Sequence, residues 1–462
     1  MTKPEPPPAA APRVAFVSLG CAKNLVDTEV MLGRLDRAGA VLVRDPGEAD
    51  VVVVNTCGFI EAAREESVRA ILEAAELKAA GRIRRLVVAG CLVQRYPGEM
   101  RESLPEVDAW IGLDELSSVA DRVAPAPPRP GAAATAVSGG GPLAPSTYLY
   151  DHRTPRRLAT PPWTAFVKVA EGCDHACAFC AIPSIRGRFR SRPVADVVAE
   201  ASRLAATGVR EINLVSQDTS GYGRDLGGGR LLPELLEALD GVPGLRWVRA
   251  LYLHPGAVDR RLVETMARLP RVVPYVDVPL QHAHPATLRR MGRGGSAASH
   301  LALLERVRGA MPSVAIRTTF LVGFPGETEA EFEALLGFVE AARLDQVGVF
   351  SYSHEEGTRA FEAADDVPVE RKEERRARLM EAQQRIALRA LESRVGRVVE
   401  VLVEGAHPET DRLLVGRTAL QAPDVDGQVL LNDGAAPPGA FARVEITGTA
   451  GYDLVGRILD AS

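Results

Sequence analysis

The sequence lacks several features, and each absence argues against a class of protein. No apolar run reaches the roughly 18 residues that a membrane-spanning helix needs, so we expect no membrane partner. A formal net charge of −5 does not suit a protein that binds nucleic acid through bulk positive charge. Residues 1–12 are rich in proline and alanine but lack the apolar centre of a signal peptide. We therefore expect a disordered tail at 1–12 and a cytoplasmic protein.

Cysteine is also scarce, and its distribution is uneven. The chain has six cysteines among 462 residues, and none occurs after Cys180. Three lie in the first third of the chain, and the other three lie close together in the loop that ends at Cys180. An even count in a secreted protein would suggest disulfide bonds. Two separate groups of three predict two metal-cluster sites instead.

The central group is Cys173-Asp-His-Ala-Cys177-Ala-Phe-Cys180, which follows an apolar run. Three thiolates in one loop can hold three irons of a cubane iron–sulfur cluster. The fourth iron then has no protein ligand and can bind a substrate or cofactor, as an open catalytic metal position does. One alternative is a structural zinc site with His175 as fourth ligand, although no second C-x-x-C pair is present. A disulfide is the other alternative.

The first third of the chain alternates strand and helix patterns. Strands are predicted at 13–18, 50–55 and 86–89, with helices at about 26–38 and 60–80, which implies a parallel, doubly wound sheet. Each strand is followed within three residues by a cysteine: Cys21, Cys57 and Cys91. The carboxyl ends of parallel strands meet at one crevice, so these residues are predicted to meet and to hold a second cluster. The alternative is three unrelated buried cysteines.

The middle of the chain divides the sequence into domains. From 124 to 146, 17 of 23 residues are alanine, proline or glycine. Such a segment cannot bury enough apolar surface to offset the conformational entropy lost when it becomes ordered. We expect a linker at 123–158. Strands follow at 165–170, 211–215, 247–251, 275–278, 314–322 and 347–352, with helices between them.

The cysteine loop resembles that of the radical S-adenosylmethionine (SAM) superfamily, including the aromatic Phe179 before the third cysteine. The resemblance implies a partial (β/α)6 barrel over 159–394. It also implies that the open iron binds the amino and carboxylate groups of SAM, whose reductive cleavage gives a 5′-deoxyadenosyl radical.

The N-terminal segments Ser18-Leu-Gly-Cys21-Ala-Lys-Asn, Asn55-Thr-Cys57-Gly and Ala89-Gly-Cys91 resemble the methylthiotransferases within that superfamily. This family carries two 4Fe–4S clusters and inserts a methylthio group into a C–H bond. The resemblance implies that 13–122 is its N-terminal domain, whose cluster carries or delivers sulfur.

Several other residues are candidate SAM contacts at strand ends. Ser216, Gln217 and Asp218 can bind polar groups of SAM or substrate, or Asp218 can simply cap a turn. Arg317 can pair with the SAM carboxylate, or with a structural carboxylate. Gly323 and Glu327 lie in the segment that holds SAM in the family. His282 is a weak acid/base candidate, since radical abstraction needs none.

Two charged segments are interpreted as solvated. The run Ile185-Arg186-Gly-Arg188-Phe-Arg190-Ser-Arg192 can touch phosphate, but solvated loop charge is the default. The helix expected at 367–394 carries mixed charge and is predicted to be an exposed strut, with a narrow apolar stripe at Leu379, Ile386 and Leu391.

The tail, 395–462, shows five short strand patterns that predict a small antiparallel, OB-like barrel, and it resembles the TRAM domain. Its five arginines and ten carboxylates give a net charge of −5. Nucleic-acid affinity depends on cations that neutralise phosphates, so we expect no strong RNA binding and a basic protein partner instead.

That charge separates two branches of the family. One modifies adenosine in tRNA, and the other modifies an aspartate of the twelfth protein of the small ribosomal subunit. Gln217-Asp-Thr, Tyr222-Gly and Gln281-His282 resemble the ribosomal-protein branch. The resemblance implies an enzyme that modifies this protein, free or in the subunit, with the help of an electron donor. A metal-stabilised binding module without catalysis is the alternative from another class.

Overall fold

The computed structural model describes residues 11–124 and 143–461. Residues 1–10 of the expected tail and residues 125–142 of the expected linker therefore lie outside the described residues. The chain divides into two compact units. The first contains the N-terminal residues up to 159 with the short segments 172–174 and 181–188, and the second contains the rest.

The first unit contains a parallel sheet. Its strands are β1 (Arg13–Ser18), β2 (Val41–Leu42), β3 (Val51–Thr56), β4 (Arg85–Gly90) and β5 (Ala109–Ile111). Its helices are α1 (Ala22–Arg37), α2 (Glu61–Ala79), α3 (Cys91–Arg95), α4 (Pro97–Ser103), α5 (Val119–Val123) and α6 (Ile182–Arg186), with 3-10 turns at Pro46–Glu48 and Leu113–Ser118. The strand order in the described residues is β2-β1-β3-β4-β5, with all pairs parallel.

Strand β3 explains why this sheet is covered on both faces. Its valines are all buried, and alternate side chains point to opposite faces of a strand. Val52 and Val54 pack with Ile71 of α2, whereas Val51 and Val53 pack with α1 and the α5 region. The predicted doubly wound sheet is confirmed. The edge strands β2 and β5 were not predicted, because two or three residues carry too little pattern.

Part of the expected linker is held against the first unit. The buried carboxylate of Glu29 accepts hydrogen bonds from Arg156 Nη2 at 2.5 Å and from the Ala159 backbone at 2.8 Å. A Cβ atom on Gly33 would lie 2.4 Å from the Arg156 backbone nitrogen, so a glycine in α1 lets the chain cross the helix closely. Residues 143–158 have no helix or strand, as an extended linker would, but Ser146 and Tyr150 are buried.

The second unit begins with an α/β part. Its strands are β6 (Thr164–Lys168), β7 (Ala170–Glu171), β8 (Arg190–Ser191), β9 (Glu211–Val215), β10 (Trp247–Ala250), β11 (Tyr275–Asp277), β12 (Ala315–Val322) and β13 (Gln346–Ser351). Its helices are α7 (Val194–Ala206), α8 (Leu232–Asp240), α9 (Arg260–Arg268), α10 (Pro285–Arg290), α11 (Ala297–Ala310), α12 (Glu329–Ala342) and α13 (Val369–Glu392), with 3-10 turns at Thr219–Gly221, Pro255–Ala257 and Arg359–Glu362.

The long strands of this part form the expected partial barrel. Strands β10, β9 and β6 make one parallel sheet, and β11, β12 and β13 make another. A parallel bridge pairs Val248 of β10 with Val272, three residues before β11 begins. The carboxyl ends of the strands thus face the same way, which places the loops after them at one mouth.

The tail forms a closed barrel of its own. Its strands are β14 (Val398–His407), β15 (Thr410–Thr418), β16 (Val429–Asp433), β17 (Phe441–Ala450) and β18 (Asp453–Ala461). The order is β14-β15-β16-β18-β17, and β17 closes on β14. The pairs are antiparallel except β16 with β18, which is parallel.

The prediction that the charged helix is an exposed strut is wrong. Helix α13 buries one side, including Lys372, Arg375 and Leu379. Lys372 Nζ pairs with Asp365 at 2.7 Å, and Arg375 pairs with Glu327 at 3.3 Å. The predicted apolar stripe is buried at Leu379 and Leu391, but apolar periodicity underestimated the width of the buried face, because that face also contains charged side chains with partners.

Buried charges join the tail barrel to the α/β part. Glu211 at the start of β9 accepts from Arg417 of β15 at 2.7 Å and from Arg249 of β10 at 3.2 Å. Arg249 also donates to the backbone oxygens of Ala419 and Gln421. The side chains of Glu211 and Arg249 have no exposed surface. A buried charge is tolerated when it is paired and hydrogen-bonded, so this group ties the two parts together.

Acid should weaken this connection. Burial by itself would raise the pKa of Glu211, but Arg417 and Arg249 lower it to about 2 from an ordinary 4.5. Because the pKa is lower in the folded state, the stabilisation is complete above about pH 4.5 and is lost as the pH falls towards 2. We expect the difference in unfolding free energy between the wild-type apoprotein and Glu211→Gln to shrink by on the order of 3 kcal/mol between pH 6 and pH 2. Denaturant unfolding at several pH values measures it.

The matched control is Asp460→Asn, which removes the carboxylate of an exposed pair with Arg443. This variant should differ little from the wild type at any pH. A Glu211→Gln difference that stays constant with pH would contradict the prediction.

In the described part of the chain no helix combines the length and the apolar character needed to cross a membrane.

Candidate metal centres

The three cysteines of the first unit follow three neighbouring strands: Cys21 after β1, Cys57 after β3 and Cys91 after β4. Thr56 pairs with Gly90 in the β3–β4 register, so Cys57 and Cys91 are the next residues of two adjacent strands. Adjacent strands lie about 4.8 Å apart. The structure therefore brings these two cysteines to one edge of the sheet, as the sequence predicted.

Two glycines allow the loops around these cysteines to approach each other. Gly20 has φ +87°, and a Cβ atom there would lie 3.2 Å from Cys57 Sγ and 2.9 Å from its Cβ. Gly90 has φ +103°, and its Cβ would lie 2.4 Å from Asn55 Oδ1. The contact between Gly20 and Cys57 brings the Cys21 loop to the same edge.

The polar residues of the first motif form a buried network behind the cysteines. Asn24 donates to the backbone oxygens of Leu19 and Thr56 at 2.7 and 3.2 Å. Asn55 donates to the Asn24 backbone oxygen and to Thr28 Oγ1 at 2.9 and 2.8 Å. These bonds connect the loops that follow β1 and β3. Asn24 and Asn55 therefore have a structural role in the motifs that contain the cysteines.

Arg186 is a buried neighbour of a cysteine that the sequence interpretation missed. Its side chain is 3% exposed, and its Nη2 lies 3.1 Å from Cys91 Sγ. Its Nη1 pairs with Asp27 Oδ2 at 2.9 Å. The interpretation of this run as solvated charge is wrong for Arg186 and also for Arg192, which is buried against Glu200. It holds for Arg188, whose side chain is 92% exposed.

The thiols of the first unit suit a cubane cluster. Cys21 is exposed, Cys57 is half-buried, Cys91 is buried, and none forms a disulfide. Among residues 11–124 and 143–461, no three His, Cys, Asp or Glu side chains are placed to hold a single metal ion. A cubane binds each cysteine through a different iron, so its ligands stand farther apart. Burial raises the pKa of Cys91 to about 12 despite Arg186, so binding of the cluster must release that proton.

The central loop begins in a segment grouped with the first unit. The Cys173 backbone donates to the Gly187 oxygen at 3.0 Å. Gly172 has φ +79°, and a Cβ atom there would lie 2.2 Å from the Arg188 oxygen. No other residue fits this position without moving the backbone, so Gly172 fixes where the loop starts.

The rest of the loop, 175–180, lies in the second unit and is held by its backbone. The Ala178 nitrogen donates to Met291 at 2.8 Å, and the Ala178 oxygen accepts from Ala360 at 2.8 Å. Arg359 donates to the Ala176 oxygen. Phe179 packs on an apolar cluster that includes Met291. The loop is thus fixed from two sides, with Cys177 and Cys180 half-buried.

Arg293 is a second arginine that the sequence did not reveal. Its Nη1 lies 3.6 Å from Cys177 Sγ, and its Nη2 donates to the Pro279 oxygen at 2.8 Å. Nothing in the local sequence distinguishes it from other arginines. Each cysteine group therefore includes a sulfur within 3.6 Å of a guanidinium nitrogen.

Asp218 contacts the central loop directly. Its Oδ2 lies 2.7 Å from His175 Nε2, and its Oδ1 accepts from Ser220 and from the Gly221 backbone. The His175 ring stacks on His254 with centroids 4.1 Å apart. Burial would raise the pKa of Asp218, but hydrogen bonds from His175 and Ser220 lower it to about 2. Asp218 thus caps its turn, which was the alternative to a SAM contact in the sequence analysis. It also orients the cysteine loop through His175.

The neighbours of Asp218 have protein partners. Ser216 Oγ lies 3.2 Å from Thr219 Oγ1 and accepts from the Asp218 backbone. Gln217 Nε2 donates to Glu171 at 2.5 Å. Their role as SAM contacts stays a prediction.

Arg317 pairs with structural carboxylates, which is one of the two alternatives that the sequence left open. Its Nη1 lies 3.1 Å from Asp277, and its Nε lies 3.7 Å from Asp426 of the tail barrel. Asp426 also accepts from Tyr275 at 2.6 Å. The guanidinium therefore belongs to the connection between the tail barrel and the α/β part, and its predicted contact with SAM would have to compete with these carboxylates.

Gly323 and Glu327 form one small buried group. Glu327 accepts from the Gly323 backbone and lies 3.2 Å from His282 Nε2. Gly323 has φ +72°, and its Cβ would lie 2.3 Å from Lys372 Cγ. Packing of α13 thus explains the glycine, and the SAM contacts of this segment stay predictions.

A parallel α/β barrel with three cysteines in a C-x-x-x-C-x-x-C loop defines the class of radical SAM enzymes. Residues 167–339 match the radical SAM superfamily. Residues 13–112 match the family described as uncharacterized protein family UPF0004, and residues 395–459 match the TRAM domain.

Relatives narrow this class. The chain is 51% identical over 449 residues, 97% of this chain and 94% of the relative, to the ribosomal protein uS12 methylthiotransferase RimO of Anaeromyxobacter sp. (strain K). It is 45% identical over 493 residues, 98% of each chain, to the RimO protein of Koribacter versatilis (strain Ellin345). The chain belongs to the RimO family of methylthiotransferases, whose cofactors are SAM and 4Fe–4S clusters.

Solved structures agree with the fold. The radical SAM methyltransferase TsrM of Kitasatospora setae, with cobalamin and a 4Fe–4S cluster bound, matches with a TM-score of 0.53. It is 16% identical and covers 74% of this chain and 75% of its own. At this identity the likeness concerns the fold alone.

Proposed function

We propose that this protein inserts a methylthio group at the β-carbon of an aspartate in ribosomal protein uS12. The observation that carries the proposal is the pair of cysteine triplets, one following the strands of the N-terminal sheet and one in the loop after β7. This arrangement occurs in a chain that resembles the RimO proteins over nearly its whole length.

The two triplets have different roles in this proposal. Cys173, Cys177 and Cys180 would hold one cluster, which would bind SAM. Cys21, Cys57 and Cys91 would hold the other, which would supply sulfur. With these groups bound, the site supplies a carbon radical from SAM and a sulfur for transfer.

The chain's own residues position these groups. Asp218 holds His175, and with it the central loop, through a 2.7 Å contact. Arg359 and the backbone of Met291 hold the loop from other elements. We infer that Phe179, Ser216, Gln217, Gly323 and Glu327 contact SAM or line its site, with Arg317 as the least accessible candidate.

Charge in the tail barrel supports a protein substrate. Arg417 is buried and paired with Glu211 and Glu404, so it cannot meet phosphate. Arg443 and Arg457 pair with Asp460 and Glu445. The tail therefore presents few cations for an RNA backbone, and its carboxylates suit a basic ribosomal protein. We also infer a cytoplasmic location and an external electron donor.

The deciding experiment offers both family substrates to the same enzyme. Reconstituted protein is incubated anaerobically with SAM and reductant, together with a peptide of the uS12 loop and tRNA. We expect mass spectrometry to find the methylthio group on the peptide. A matched peptide with asparagine in place of the aspartate should gain nothing. A methylthio group on tRNA alone would overturn the proposal in favour of the tRNA-modifying branch.

A further inference from the structure

A buried guanidinium links a cysteine sulfur to a carboxylate in the first unit. Arg186 Nη2 lies 3.1 Å from Cys91 Sγ, and Nη1 lies 2.9 Å from Asp27 Oδ2. The side chains of Arg186 and Asp27 are 3% and 1% exposed. Asn24 Oδ1 lies 3.4 Å from the same Nη2. The charge is thus held in the interior in one orientation.

The sulfur contact has a chemical consequence beyond packing. A thiol is a weak acceptor, whereas hydrogen bonds to a charged acceptor are about twice as strong as neutral ones. Cys91 becomes such an acceptor when it loses its proton to bind a metal. Arg186 therefore interacts most strongly with the metal-bound form of Cys91.

The position of Arg186 in the chain adds a second observation. It ends α6, which begins two residues after Cys180. The next residue, Gly187, accepts a hydrogen bond from the Cys173 backbone at 3.0 Å. Two consecutive residues thus touch one cysteine of each group, Cys91 and Cys173.

We propose that Arg186 is a positioning residue of the N-terminal cluster. Its guanidinium donates a hydrogen bond to the ligating sulfur of Cys91 and, balanced by Asp27, sets how readily that cluster accepts an electron. Hydrogen bonds to ligand sulfurs and local charge are known determinants of cluster potential. This inference rests on the proposed cluster at Cys21, Cys57 and Cys91.

The signs of the two expected effects are opposite. Reduction by one electron adds negative charge to the cluster, and a cation beside its ligand stabilises that state. Arg186→Met removes the cation and the donor, so it should lower the ratio of reduced to oxidised cluster at a fixed potential by about tenfold. This change corresponds to a reduction potential lower by about 59 mV for a one-electron couple. Asp27→Asn leaves the cation unbalanced, so it should raise the ratio.

The experiment isolates this cluster within the full-length chain. Cys173, Cys177 and Cys180 are replaced by alanine, and the protein is reconstituted with iron and sulfide. Dithionite with mediators supplies the electron, and electron paramagnetic resonance follows the reduced cluster through a potential titration. Arg186→Lys, which keeps the charge, should recover part of the shift.

The control is Arg157→Gln. Arg157 forms an exposed pair with Asp36 at 2.8 Å in the same unit, so its removal should leave the potential unchanged.

The results separate the inference from the proposed function. Opposite shifts in Arg186→Met and Asp27→Asn support it, and unchanged potentials or shifts of one sign overturn it. If Arg186→Met does not fold or takes up no iron, Asp27→Asn decides alone: a higher potential supports the inference, and an unchanged one overturns it. If the parent chain itself takes up no iron, the proposed cluster site is wrong, and the inference fails with it.

Discussion

Replacing Cys177 with alanine should abolish reductive cleavage of SAM. Cys177 is one of three thiolates in the central loop, and with two ligands left the cluster loses its iron. Mutating a residue that only hydrogen-bonds to a metal ligand typically lowers metal affinity or activity by about 10–100-fold. Removing a ligand itself should therefore lower the rate of SAM cleavage by more than about 100-fold. Anaerobic incubation with SAM and dithionite, followed by quantification of 5′-deoxyadenosine, measures it.

The matched control is Cys91→Ala in the other triplet. This variant should still produce 5′-deoxyadenosine but transfer no methylthio group to the uS12 peptide, because only the sulfur-supplying cluster is affected. Backbone hydrogen bonds of Ala178 hold the loop without the Cys177 thiol, so circular dichroism should show both variants folded. SAM cleavage that survives in Cys177→Ala would disprove the assignment of the central cluster.

Replacing Arg417 with alanine should destabilise the second unit strongly. The change removes one cation from Glu211, whose side chain has no exposed surface, and leaves Arg249 as its remaining cationic partner. Breaking a buried ion pair from one side typically costs about 3–5 kcal/mol. Urea unfolding of the apoprotein, monitored by circular dichroism, measures the change in unfolding free energy.

Arg443→Ala provides the comparison within the same barrel. Its partner is Asp460, and both side chains are more than half exposed. Exposed ion pairs contribute about 0–1 kcal/mol, so this variant should unfold almost as the wild type does. Equal losses in the two variants would mean that the buried group does not hold the tail barrel in place.

Regular elements with strong patterns were predicted well from the sequence. The valine run of β3 and the strand β9 were located to within one residue, because a buried parallel strand is a continuous apolar run. The cysteine positions relative to strand ends also follow from this pattern. The short edge strands β2 and β5 were missed, since so few residues cannot establish a period.

Charged residues were predicted poorly, and the reason is physical. Arg186, Arg192, Lys372 and Arg375 looked solvated in sequence, yet all are buried against carboxylates or a sulfur. A charge is tolerated in the interior when it is paired and hydrogen-bonded, and the fold decides whether a partner reaches it, even where that partner is near in sequence, as Glu200 is to Arg192. Local periodicity contains no information about those partners.

The sequence by itself determined the chemistry of this protein: two cysteine triplets, their spacing, the strands that precede them and the family to which the chain belongs. These depend on residue type and on short-range order. Only the tertiary structure decided which charged residues lie beside the cysteines and which join the tail barrel to the α/β part. The partners of Arg186 lie 95 residues away at Cys91 and still farther at Asp27, and Arg317 meets a carboxylate of the tail barrel. Such contacts exist only after the sheet and barrels have assembled.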